Sequence, residues 1–303
     1  MHVQKRRRWC GLAGVSCAAT LALLPLGSAA QDRLRLFDGH IHYSVGSPKQ
    51  YPPEKAIAIL DEAGIGRALL SSTPNDGTIQ LHNLYPERFI PELRPYRKTR
   101  DFETWAVERA SWYRDPETVT FIEEELKRGI YRGIGEFHLD GDEADTPVIR
   151  KIVDIAVARN LWLHAHSDAA AVEKLFSFNP GARIVWAHAG MSTPPETIDR
   201  WLARYPTLWA ELSYRDVVAG SGELDPQWKA LFLKYPDRFI YGSDTWIPPR
   251  WGEVVALAEQ ARGWLAQLPR DVAENIAFRN AERIFTKKAS AGRAGLRGTR
   301  APA

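Results

Sequence analysis

Cysteine is almost missing: the 303 residues include two, Cys10 and Cys17, and both fall within the first thirty. Beyond residue 30 the chain offers no disulfide, no thiolate ligand and no cysteine nucleophile. A Gly-x-Gly-x-x-Gly turn is also missing after the first predicted strand, which removes the usual dinucleotide-binding reading of an α/β chain. Neither sign of charge dominates, with 40 Lys and Arg against 37 Asp and Glu. Apolar residues reach 45%, enough for a sizeable core, so disordered and fibrous classes are excluded.

The first thirty residues differ in kind from the rest. Lys5, Arg6, Arg7 and Arg8 precede an apolar run from Gly11 to Leu26, and Gly27-Ser28-Ala29-Ala30 supplies small residues for cleavage. That order predicts a cleaved signal peptide over 1–30, and the run is short for a membrane span. The arginines before Trp9 partly match a twin-arginine leader, which exports a chain already folded around its cofactor. Cys17 matches a lipoprotein box poorly, so the expected destination is periplasmic or secreted, free of the membrane after cleavage. Losing the leader's four basic side chains takes the net charge from +3 to −1, so the sequence pI of 8.8 gives no support to a nucleic-acid partner.

From Arg35 onward short β-branched or aromatic runs alternate with helical periodicity. Strands are predicted at 35–42, 67–72, 89–94, 132–138, 161–166, 182–188, 208–213 and 238–243. YPPEKAIAILDEAG has proline at its start, apolar Ala56, Ile59, Leu60 and Ala63 at helical spacing, and a glycine stop at Gly64. TPVIRKIVDIAVARN repeats that logic, and the stretch from Thr104 to Gly129 reads as two helices broken at Pro116. Eight strand-then-helix units predict an α/β fold of the (β/α)8 TIM-barrel type over 31–288, with a disordered Gly-, Ala- and Arg-rich tail at 289–303. An open doubly wound sheet would need fewer strands.

In such a barrel the chemistry belongs at the C-terminal ends of the strands. Strand one there carries DGHIH, with His40 and His42 on one face because side chains alternate. Strand four ends in Glu136 and His138, strand five in His164 and His166, strand six in His188, and strand eight in Asp244. Alone, His166 would read as a core histidine and Asp244 as a helix N-cap. Of the seven histidines after His2, however, only His82 lies off this rim, and independent structural histidines have no reason to choose one end of different strands. Neutral imidazoles and carboxylates are the common ligands of zinc and neighbouring divalent ions.

DGHIH, AHAG, GSD and NAERIF together resemble the amidohydrolase superfamily, in its amidohydrolase-2 branch, from about Phe37 to Phe285. GIGEF is similar to the strand-four glutamate that bridges two metals in TatD-like hydrolases. The resemblance implies His40, His42 and a fifth-strand histidine as ligands of a divalent metal, zinc first. It implies His188 as ligand or water-orienting base, Asp244 as ligand and proton acceptor, and Glu136 as the residue that decides between one ion and two. His166 lies nearer the strand's C-terminal end and is the expected ligand, with His164 beneath it. His138 is a further alternative ligand or supporting partner. Arg94, Tyr96 and Arg97 after strand three, Tyr214 and Arg215 after strand seven, and Trp246 after Asp244 are the expected substrate contacts.

The expected activity is a metal-dependent hydrolase cleaving an ester, lactone, amide or phosphoester of a small molecule. Its rivals are a metal-dependent nonoxidative decarboxylase of an aromatic or unsaturated acid, a TatD-like nuclease, which the charge disfavours, and a metal-holding barrel without turnover. Oligomeric state stays open at this level.

Overall fold

The computed structural model describes residues 33–220 and 222–286, so the expected leader at 1–30 and tail at 289–303 lie outside the described residues. Eight strands follow one another in chain order: β1 (Leu36–Ile41), β2 (Ile65–Leu70), β3 (Phe89–Leu93), β4 (Gly133–Leu139), β5 (Trp162–Ser167), β6 (Ile184–Trp186), β7 (Leu208–Glu211) and β8 (Phe239–Ile240). Each pairs parallel with the next, and the sheet order is the sequence order. The last strand returns to the first through Gly39 N–H on Tyr241 O at 2.8 Å and Asp244 N–H on His40 O at 2.7 Å, which closes the barrel. Described helices fill the connections, the arrangement of a (β/α)8 fold.

The helices form where local chemistry favours them. Pro53 and Pro147 sit at helix starts, where the missing N–H costs nothing, and Thr146 caps the second of these by accepting from Ile149 N–H. Gly64 ends the first helix with φ of 66°, a conformation a side chain resists. Helix Pro147–Ala158 turns Val148, Ile149, Ile152, Val153, Ile155 and Ala156 inward. Full burial of each larger aliphatic is worth roughly 1.5–3 kcal/mol. β1 is buried along its whole length, as expected of a strand between barrel interior and helical shell. The expected break at Pro116 holds, as a helix Phe102–Arg109, a short turn Trp112–Arg114 and a second helix Glu117–Glu125.

Strands six and eight are shorter than their sequences suggest. The backbone leaves the sheet at the polar ends, where His188 takes φ of 55° and Asp244 φ of 51°. Both residues therefore sit on strained turns just beyond their strands, and so does Tyr214 at φ 56° beyond β7.

Candidate metal centre

At the C-terminal mouth of the barrel, side chains from five strand ends converge. His40 Nε2 and His42 Nε2 stand 3.0 Å apart. Asp244 Oδ1 lies 3.2 Å from His42 Nε2 and 3.7 Å from His40 Nε2, and its Oδ2 lies 3.8 Å from His188 Nε2. Glu136 stands among them, with Oε1 at 3.0 Å from His166 Nδ1, 3.4 Å from His188 Nε2 and 3.6 Å from His40 Nε2, and Oε2 at 3.3 Å from His42 Nε2. His166 Nδ1 and His188 Nε2 are 3.2 Å apart.

The other faces of three of these rings decide what the inner faces present. His42 Nδ1 meets the backbone oxygen of Ser71, His188 Nδ1 meets Ser213 O at 3.2 Å and Ser213 Oγ at 2.9 Å, and His40 Nδ1 meets Glu211 Oε2 at 2.9 Å. Backbone carbonyls and a carboxylate only accept, so each Nδ1 donates its proton outward, and the neutral ring turns an Nε2 lone pair inward. Lone pairs facing lone pairs at 3.0–3.2 Å repel unless a cation lies between them. The donor set therefore fits a divalent metal, with the outward acceptors holding the rings in the ligating tautomer.

Charge points the same way. Glu136, Glu211 and Asp244 are all buried, and Arg94 is the fixed cation among them, with Nε on Glu136 O at 2.8 Å and Nη2 on Glu136 Oε2 at 3.0 Å. Without an ion the His40 ring would keep a proton on that inner nitrogen: burial works against its charge, but Asp244, Glu136 and Glu211 outweigh it and raise its pKa well above the usual imidazole range, a positive charge that a bound metal can supply in the proton's place. Burial likewise opposes the carboxylates, yet His40 and the neighbouring imidazoles hold Glu136 well below its usual range and Glu211 at about 2. Three carboxylates with one arginine leave two negative charges to be balanced by positive charge at the centre.

Local sequence explains the convergence. Asp38, the first letter of DGHIH, accepts from His40 N–H and Ser243 N–H at 3.0 Å each, which ties the first strand's end to the last. Burial raises the Asp38 carboxyl to about 7 despite those bonds. Gly242 of GSD lies where a Cβ would collide with Glu211 Oε1 and approach His40 Cβ to 2.9 Å, so only glycine lets these three segments meet.

Of the two fifth-strand histidines, the cluster contains His166. His164 lies deeper, with Nδ1 on Glu92 Oε2 at 2.9 Å and its ring 4.6 Å from that of His40. His138 stacks on His166 at 4.3 Å and receives the Tyr96 hydroxyl at Nδ1, and burial presses its pKa well below the usual value. A cavity of ≈ 520 Å³ opens above the cluster, and Arg94, Tyr214 and Trp246 line it.

Three expected substrate contacts lie outside the cavity lining. Tyr96 is buried behind the wall against His138, Arg97 pairs with Asp115 at 2.7 Å, and Arg215 lies over the Trp228 ring at 4.7 Å with Nη2 on Thr193 O. Loop side chains next to a strand end turned outward or under as readily as inward. Conversely, Glu92 and Glu211 were passed over in the sequence. Their signal was present, because an acid inside the short apolar strands FIPEL and LWAE must find a buried partner.

A parallel eight-stranded barrel with imidazoles and carboxylates gathered at its C-terminal mouth defines a class, the metal-dependent barrel enzymes. The sequence model Amidohydro_2, described as amidohydrolase, matches residues 101–287, and the chain belongs to that family. It is an enzyme of the metal-dependent amidohydrolase type. Among solved structures, a candidate 2-pyrone-4,6-dicarboxylic acid hydrolase from Pseudomonas putida is similar at a TM-score of 0.58 and 16% identity, over 84% of this chain and 98% of that one. A like-named candidate from Acinetobacter baumannii, with citric acid bound, gives 0.56 and 15%, over 84% and 100%. An amidohydrolase from Burkholderia multivorans with bound zinc gives 0.54 and 14%, over 83% and 99%. At these identities the likeness is one of fold. No curated protein matches the chain by sequence.

Proposed function

We propose that the chain hydrolyses an ester, lactone or amide of a small molecule with a single divalent ion, zinc first, whose ligands are drawn from His40, His42, Glu136, His166, His188 and Asp244 with one position left for water. The observation that carries this reading is the outward Nδ1 bonding of three rings, which aims their Nε2 atoms at one point shared with two carboxylates. Ligands about 2.0–2.2 Å from one zinc lie roughly 3.0–3.5 Å from one another. The donor separations of 3.0–3.8 Å are of that order, which supports a reading with one ion and Glu136 as a ligand rather than a bridge.

Such an ion supplies Lewis acidity and lowers the pKa of a water in its shell. The chain's residues would do the rest. Asp244 is placed to take a proton at Oδ2, on the side facing His188, and to return it to the leaving group. Arg94 holds Glu136 at Oε2 and at its backbone oxygen and keeps its carboxylate fixed. Ser213 and Glu211 fix the His188 segment through its ring and its backbone N–H.

Metal analysis of the purified chain, followed by chelation and zinc repletion against a panel of lactones, esters and amides, tests the reading. Zinc-dependent cleavage is expected, with about one ion per chain. A single ion also suits nonoxidative decarboxylation, so carbon dioxide release is measured beside it. Zinc-dependent carbon dioxide release without hydrolysis of any panel member would replace the hydrolase reading.

A further inference from the structure

Resting on the proposed hydrolase site, we infer that its substrate is apolar-bodied and carries at most one negative charge. The first observation is where exposed apolar side chains gather. Nine large ones are exposed among the described residues, and five of them, Val45, Phe102, Met191, Tyr214 and Trp246, ring this one cavity, each left 38–66% exposed. They come from five different stretches, after β1, β3, β6, β7 and β8. Scattered singles need no explanation, whereas a ring of them around a polar floor marks a surface waiting for an apolar ligand. Trp246 Nε1–H donates to the Tyr214 hydroxyl at 2.6 Å, which holds those two rings together at the rim.

The second observation concerns charge. Among the described residues lining the cavity, Arg94 is the one lysine or arginine, and its guanidinium is buried and already bonded to Glu136 at two atoms. Nearby cations are committed elsewhere. Arg250 lies over the Tyr214 ring and bonds to Ser243 O and Glu253, and Arg97 and Lys98 pair with Asp115. A divalent ion together with Arg94 would offset Glu136, Glu211 and Asp244 and leave no surplus positive charge, while Glu92 beneath the cluster and Asp101 in the lining add further carboxylates. A dicarboxylate such as the one in the names of two structural relatives would find no second cation here and would meet Asp101 instead. A neutral lactone or ester with an alkyl or aryl body meets an apolar rim above and the ligand cluster below.

The test uses the zinc-loaded chain in two arms. For turnover, δ-decalactone, δ-valerolactone and 2-pyrone-4,6-dicarboxylate are compared. The decalactone should exceed the valerolactone in kcat/KM by about tenfold or more, and the dicarboxylate should fall about a hundredfold below the decalactone. Trp246→Ala and Phe102→Ala should each cut the decalactone-to-valerolactone ratio by about fivefold to tenfold. Both side chains are exposed, so the barrel should fold in each variant, which circular dichroism checks. Equal rates on the two lactones, or a preference for the dicarboxylate, would overturn the inference. For binding, 2-acetylnaphthalene, which cannot be hydrolysed, is compared with trimesate by equilibrium dialysis. If no lactone, ester or amide of the panel is cleaved yet the naphthyl probe binds at least about tenfold tighter than trimesate and Trp246→Ala weakens it, the apolar site stands and the hydrolase reading falls. Tighter trimesate binding, or naphthyl binding indifferent to both variants, removes the apolar site itself.

Discussion

Glu211 does not itself line the cavity, yet its replacement should cost metal. Its Oε2 accepts from His40 Nδ1 at 2.9 Å, His188 N at 3.2 Å and Ser213 Oγ at 2.9 Å, while Oε1 accepts from Ser213 N. In Glu211→Gln the amide oxygen would keep the crowded Oε2 position, since the amide nitrogen there would face three donors. The NH2 group would then oppose a single donor, Ser213 N–H, at a cost of about 1–3 kcal/mol in stability. His40 would keep an acceptor but lose its charge, so zinc affinity should fall about tenfold, the lower end for such supporting partners. Glu211→Ala removes the acceptor altogether and frees the His40 ring to choose its other tautomer, so affinity should fall about a hundredfold. Competition titration against a chromophoric chelator reads both values, with circular dichroism confirming the barrel. A folded Glu211→Ala chain with unaltered zinc affinity would refute the claim that outward acceptors orient the rings.

Other substitutions probe separate parts of the site. Asp244→Asn should retain much of the zinc, counted by elemental analysis, while kcat falls at least about a hundredfold, as expected on losing a general base. Arg94→Met leaves Glu136 without its guanidinium, and losing one partner of a buried pair costs about 3–5 kcal/mol. Denaturant unfolding should show that loss in the chelated protein and a smaller one after zinc repletion, because the ion offsets the stranded carboxylate. Gly242→Ala inserts a methyl against Glu211 and His40, and thermal unfolding should report about 1–3 kcal/mol of overpacking together with weakened zinc binding.

Much of the architecture could be read from the chain because barrel strands announce themselves twice, by apolar content and by polar ends. His40 and His42 were legible as a pair, since strand alternation alone puts residues two apart on one face. His164 and His166 share parity, and strand direction alone put His166 nearer the mouth; what needed coordinates was the partner of the deeper ring, Glu92 on β3. Glu92 and Glu211 were legible in principle as acids within apolar strands, but nothing in the chain pairs either with a particular histidine. Tyr96, Arg97 and Arg215 show where sequence reasoning stops. A loop residue's direction depends on what packs around it, and a tryptophan at 228 or an aspartate at 115 has no sequence proximity to the arginine it captures. The Phe102 rim was hidden for the same reason, since a helix start gives no hint that it overhangs a cavity.

The seam between β8 and β1, where Asp244 N–H bonds His40 O, has a consequence for how the protein comes into being. The first and last predicted ligands meet there, separated by nearly the whole barrel-forming sequence. A ribosome adding about 5–20 residues per second needs roughly ten to forty seconds between making His40 and making Asp244. During that interval the emerging chain has imidazoles but no enclosure for an ion. Loading of a divalent metal would thus be an event of the finished polypeptide, and a fragment truncated before residue 244 is expected to hold no metal, which elemental analysis of such a fragment checks.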